Sequence, residues 1–165
     1  MPKEVTVAGV TVDPVTKSPI VVLREPESGN VVPIWIGLLE ANAIALALEG
    51  TELPRPMTHD LMKSILHATG TRLRSVEIAE IRESTYFALL HIEGDGESVH
   101  VDARPSDAIA LALRAKCPIF VAEGVIQKAR RVDLSAQEAI TSEDAKKWTE
   151  ILEGLDPSDF GKYKM

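Results

Sequence analysis

The hexamer Ala-Ile-Ala-Leu-Ala-Leu occurs twice in this chain, at 43–48 and at 108–113, and no other feature restricts the fold as much. Ala and Leu form helices well, and a helical run without one polar side chain has no face to offer water, so each copy must be buried on most sides. A short alternating segment precedes each copy, Ile34-Trp35-Ile36 before the first and Val99-His100-Val101-Asp102 before the second. A slide of 65 positions lays strand on strand and helix on helix, and pairs Asn42 with Asp107. The pattern predicts a duplicated strand-to-helix unit whose halves share one core through a pseudo-twofold arrangement.

The elbows between strand and helix differ. The first carries Gly37, Leu38 and Leu39; the second carries Asp102, Ala103 and Arg104, followed by Pro105, Ser106 and Asp107. Proline suits a first helical turn, and Ser106 and Asp107 suit a helix start, where oxygens accept from unpaired N–H groups and negative charge meets the positive end of the helix dipole. Only the second elbow is charged, so chemistry is expected there.

Around these helices the period is that of strands. Val-Thr-Val-Ala-Gly-Val-Thr-Val at 5–12 alternates, with a slip at Ala8-Gly9 that predicts a bulge. Strands follow at 20–23 and 31–36, completing a three-stranded antiparallel meander before a helix over 38–49 that Gly50 stops. Pro54-Arg55-Pro56 is too stiff for a helix, and Thr58 is placed to cap a second helix running to Ala68. Its packing face reads Leu61, Met62, Ile65, Leu66 and Thr69, while His59, Lys63 and His67 recur every fourth residue on another stripe. For His67 a solvated face is the plainer reading; His59, beside Asp60 at the helix start, is a candidate for chemistry.

Three more strands are predicted at 72–82, 85–92 and 97–102, turning at Arg82-Glu83-Ser84 and Gly94-Asp95-Gly96, so that the second half repeats the first. A short strand at 119–121, a helix over 122–130 and a last helix over 142–153, opened by Thr141 and Asp144, complete the reading. The fold class is α+β: one compact domain over 1–130 with mainly antiparallel meander strands and buried helices, and a C-terminal helix and tail over 131–165. Lys128, Arg130 and Arg131 read as a solvated basic patch.

A net charge of −7 argues against the broad basic surface of most nucleic-acid binders, so a polyanion would have to be gripped locally. The single Cys117 cannot form an internal disulfide and fits a reducing compartment, as a small buried hydrophobe. The N-terminus lacks a signal-peptide pattern and no apolar run approaches a membrane span, which places the protein in the cytoplasm without a membrane partner.

Three segments in order, Pro33-Ile34-Trp35-Ile36-Gly37 with the helix after it, Pro54-Arg55-Pro56-Met57-Thr58-His59-Asp60-Leu61-Met62, and Val101-Asp102-Ala103-Arg104-Pro105-Ser106-Asp107 with its hexamer, resemble the bifunctional nuclease domain family, over about residues 5–130. The resemblance implies a compact α+β domain with nuclease activity on RNA and DNA in some members. Its motif positions here are Glu40, Thr58, His59, Asp60, Asp102, Arg104, Ser106 and Asp107.

Phosphodiester cleavage needs an activated water, neutralised phosphoryl charge and help for the leaving oxygen, which Mg²⁺ or Mn²⁺ can supply. On that reading Asp102, Asp107 and Glu40 are the metal candidates, and His59, Asp60, Asp102, Arg104 and Asp107 the catalytic ones. Arg104 would clamp phosphate, with Ser106 and Thr58 also on the substrate side. The competing reading is structural: Asp60 and Asp107 cap helices, and Asp102 and Arg104 form a buried salt bridge. Two functions therefore stand, a metal-assisted nuclease with nucleic acid as substrate, and a non-catalytic module in which the polar elbow fixes a homodimer or a ligand groove.

Overall fold

In the computed structural model, which describes residues 1–133, every strand and helix expected in that range is present. The first meander is β1 (Lys3–Val12), β2 (Pro19–Arg24) and β3 (Val31–Trp35), with the β1 register shifting between Val7 and Gly9 where the alternation slips. Helix α1 (Leu38–Leu48) follows, then α2 (Thr58–Ala68). The second meander is β4 (Arg72–Arg82), β5 (Thr85–Gly94) and β6 (Glu97–Ala103), which feeds α3 (Pro105–Ala115), β7 (Ile119–Val121) and α4 (Glu123–Asp133). Glu83 and Ser84 both take positive φ, 47° and 62°, so the β4–β5 turn is the tight two-residue kind without a glycine. The expected helix at 142–153 and the tail lie outside the described residues.

All seven strands join one sheet in the order β3-β2-β1-β7-β4-β5-β6. The two meanders thus flank β7, which pairs antiparallel with β1 and parallel with β4, so β1 and β4 run in opposite directions. That is the order a duplicated unit gives around a twofold normal to the sheet. β7 is the piece the sequence pattern did not place: three residues, Ile119-Phe120-Val121, that weld the halves together. The sheet curls far enough for Tyr86 Oη on β5 to donate to the Pro33 carbonyl on β3 at 3.2 Å, although β2, β1, β7 and β4 separate the two strands.

The helices lie against this sheet with α3 between α1 and α2, over β4 and β5, and α1 over β1 and β2. Ile44, Ile109 and Leu111 meet Val21, Leu23, Val76 and Ile78 in one core. Burial differs from expectation on α2. Met62 and Leu66 pack against the core and His59 is buried, but Leu61 and Ile65 are half exposed. The helix is rotated so that His59, Met62 and Leu66, spaced three and four residues apart, form the inward stripe, which brings His59 to its partner on α3. Cys117 is half-buried, and burial pushes its thiol up to about 11, so it stays protonated at neutral pH. Among the described residues no helix is long and apolar enough to cross a membrane.

Candidate functional site

Each of the first three helices has a carboxylate at its third residue: Glu40 on α1, Asp60 on α2 and Asp107 on α3. A carboxylate in a first turn is favoured by the helix dipole, so each is at home locally. What the fold adds is that the three helix starts come together around a cleft of about 320 Å³, whose walls include Leu39, Glu40, Thr58, His59, Arg104, Asp107 and Arg114.

Arg104 ends the β6 elbow in extended conformation, as the residue before a proline prefers, which turns its side chain toward α1. Its Nε donates to Asp107 Oδ2 at 2.8 Å and its Nη1 to Glu40 Oε1 at 3.0 Å, so one guanidinium bridges the two copies of the helix. The first elbow accommodates this bridge by carrying glycine, since a Cβ at Gly37 would collide with the Glu40 carboxylate. His59 Nε2 lies 3.0 Å from the other Asp107 oxygen. Partial burial pushes the Asp107 carboxyl up, but the hydrogen bonds from Arg104 and His59 outweigh it and hold the group below the usual carboxylate range. An ionised carboxylate only accepts, so His59 Nε2 carries the hydrogen and Nδ1 is the ring nitrogen left to take a proton. The bond to Asp107 likewise holds the Arg104 guanidinium charged.

A second set fastens α2 in place. Arg114, 10% exposed, donates from Nε to Asp60 Oδ1 at 2.8 Å and from Nη1 to the carbonyls of Ala43 and Ala110 at 3.0 and 2.9 Å. Asp60 also accepts from the Met57 N–H at 3.0 Å, so Met57 rather than Thr58 is the capped start of α2, and Thr58 is its first helical residue. Arg114 is a cleft residue that the sequence reading did not single out. Its signal was its distance from Asp107: seven residues, two turns, hence the same helix face.

The expected residues therefore divide. Glu40, His59, Arg104 and Asp107 form one hydrogen-bonded cluster, with Thr58 beside it in the cleft wall. Asp60 faces Arg114 and the cap rather than this cluster. Ser106 is buried in the wall of a neighbouring depression of about 300 Å³ that shares Glu40 and Arg104 with the cleft. Asp102 lies on the exposed side of β6, because strand alternation that turns Ala103 to the core turns Asp102 away from it. The expected Asp102–Arg104 salt bridge is corrected accordingly: Arg104 pairs with Asp107 and Glu40, and Asp107 spends its oxygens on Arg104 and His59 rather than on capping α3. Among the described residues, no three of His, Cys, Asp and Glu stand together as a ligand set, and the Arg104 guanidinium occupies the position between Glu40 and Asp107 that a cation would need. As placed, these side chains do not fit Mg²⁺ or Mn²⁺.

Comparison with known proteins bears on this cluster directly. The family model described as the bifunctional nuclease domain matches residues 21–133, which include every residue of the cleft. An uncharacterised protein of Mycobacterium tuberculosis is 39% identical over 162 residues, covering 95% of this chain and 97% of that protein. Bifunctional nuclease 1 of Oryza sativa subsp. japonica is 31% identical over 105 residues, 62% of this chain but only 32% of the rice protein. Bifunctional nuclease 1 of Arabidopsis thaliana is 32% identical over 107 residues, 62% of this chain and 33% of its own length. The family match thus spans both strand-to-helix units and the paired histidine, arginine and carboxylates between them, and the chain belongs to the bifunctional nuclease domain family.

Proposed function

We propose that the protein hydrolyses phosphodiester bonds of RNA and DNA in the cleft between the three helix starts. The observation that carries this reading is the His59–Asp107 pair, 3.0 Å apart, in a cleft that also holds the Arg104 guanidinium. Asp107 fixes the ring and its tautomer; histidine is the side-chain type that exchanges protons near neutral pH. A water attacks phosphorus and gives its proton to Nδ1 of His59; the P–O bond to the leaving oxygen breaks, and that oxygen takes a proton from the imidazolium or from water. Arg104, whose Nη2 makes no hydrogen bond among the described residues, offsets the charge that builds on the phosphoryl oxygens. Family membership and the two plant nucleases support the reaction class.

A second reading rests on the same bridge: Arg104 ties α1 to α3 through two carboxylates, and Leu38 and Leu39 stand exposed beside it, as in a non-catalytic module that pairs with a second copy. The test is degradation of RNA and single-stranded DNA by highly purified wild type, Asp107→Asn and Arg104→Lys, with and without EDTA, alongside thermal melts. Loss of cleavage in folded variants supports catalysis. Equal degradation by wild type and both variants ends it.

A further inference from the structure

The histidine and lysine stripe of α2 is only partly used by the proposed chemistry. His59 lines the cleft, whereas Lys63 and His67, one and two turns further on, line a separate depression of about 570 Å³ that also carries Lys116. Arg114 belongs to the walls of both, so the two hollows adjoin along α2. No side chain of Lys63, His67 or Lys116 is engaged in an ion pair or hydrogen bond among the described residues, and all three residues are exposed. Asp60 in this wall is already matched by Arg114, leaving Glu52 as the one acid there without an ion pair among the described residues. Lys116 ends α3 in left-handed conformation, φ 55°, a position glycine ordinarily takes and which Gly50 takes beyond α1.

We infer that Lys63, His67 and Lys116 form a phosphate track that extends the cleft, holding the backbone of a single-stranded polynucleotide on one side of the bond to be cut. The inference rests on the nuclease reading of the cleft and adds where the rest of the strand lies. Successive stripe residues on α2 are about 6 Å apart along the helix axis, on the scale of one nucleotide step in an extended strand. The stripe also resolves a conflict in the composition. A chain of net charge −7 cannot hold a polyanion by its overall field, but unpaired cations in one hollow beside the cleft can do so locally. Phosphate contacts of this kind position a strand without reading its sequence, which suits an activity on both RNA and DNA.

The experiment is fluorescence anisotropy of a fluorescein-labelled, nuclease-resistant phosphorothioate single strand of about a dozen nucleotides, titrated with full-length wild type, with the double variant Lys63→Gln/Lys116→Gln, and with Lys17→Gln as a control on the β1–β2 turn. Circular dichroism melts confirm that each variant is folded. The track predicts weaker binding by the double variant alone, with the slope of log affinity against log salt reduced by about 0.7 for each lysine removed. An unchanged slope, or an equal loss in Lys17→Gln, overturns it. Because binding is read without cleavage, the two claims separate. Tight, lysine-dependent binding by a protein that cleaves nothing keeps the track and ends the nuclease reading. Cleavage with affinity unchanged in the double variant does the reverse, and a wild type that neither binds nor cleaves ends both.

Discussion

The two Ala-Ile-Ala-Leu-Ala-Leu helices have the same six side chains and different surroundings. In α3 residues 108–112 are fully buried, because α1 and α2 flank the helix and the sheet lies beneath it. In α1 only 44–46 of the hexamer are buried; Leu48 is 41% exposed. Identical local sequence therefore fixes helix formation in both copies, while burial is set by whether a third helix arrives on the far side. The elbows diverged to match: the buried copy carries Arg104 and Asp107 into the cleft, and the outer copy supplies Gly37 and Glu40 to receive them. Asn42, the counterpart of Asp107, is buried and uncharged, so a single copy contributes the charged partner of His59.

Substitutions in the two copies test this asymmetry, beginning with the most disruptive. Ala110→Asp places an unpaired carboxylate at a position with no exposure and is expected to remove the cooperative melt, a loss of roughly 4 kcal/mol or more. Ala47→Asp, in the open end of the first copy, should keep the transition. A wild-type melting temperature for Ala110→Asp would show that α3 is not buried.

Arg114→Met comes next. It strips Asp60 of its partner and two helix carbonyls of their side-chain donor, for an expected loss of about 2–3 kcal/mol in urea unfolding. The position 65 residues earlier is Glu49, at the exposed end of α1, where an alanine should cost well under 1 kcal/mol. Equal losses at the two positions would contradict the fastening role given to Arg114.

Asp107→Asn converts the second copy to the residue of the first. Cleavage of RNA should fall about 100-fold or more as His59 loses its charged partner. The same variant has a signature in pH. Because the folded-state value of Asp107 lies below the usual carboxylate range, its stabilisation is present above that range and disappears as pH falls through the folded value. Wild type should therefore lose stability at acid pH more steeply than Asp107→Asn, and parallel acid limbs in the two proteins would remove the ion-pair assignment.

Leu113→Ala and Leu48→Ala are the closing residues of the two hexamers. The first, half-buried, should cost about 2 kcal/mol, and the second less than half of that. The smallest effect is expected at Asp102, which is exposed on β6 and unpaired among the described residues. Asp102→Asn should leave both melting and cleavage near wild type. A large drop in its cleavage rate would mean that the site extends around the elbow beyond the cleft.

Periodicity and turn chemistry were enough to read the elements of residues 1–133. The slip at Ala8-Gly9, the Glu83-Ser84 turn, Pro105 opening α3 and the repeated hexamer each act within about one turn or one strand pair, so their consequences are local and visible in the residues themselves. The candidate residues were legible for the same reason, since helix starts advertise their carboxylates. Partner choice was not. Arg104 has Asp102 two positions away and bonds instead to Glu40, 64 positions earlier, and His59 turns inward at the expense of Leu61 and Ile65 to meet Asp107, 48 positions later. β7, too short to announce its neighbours, joins the meanders by pairing with β1 on one side and β4 on the other. These outcomes depend on how three helices settle against a curled sheet: burying the apolar stripes sets each helix's rotation, and the rotation then decides which charges face one another.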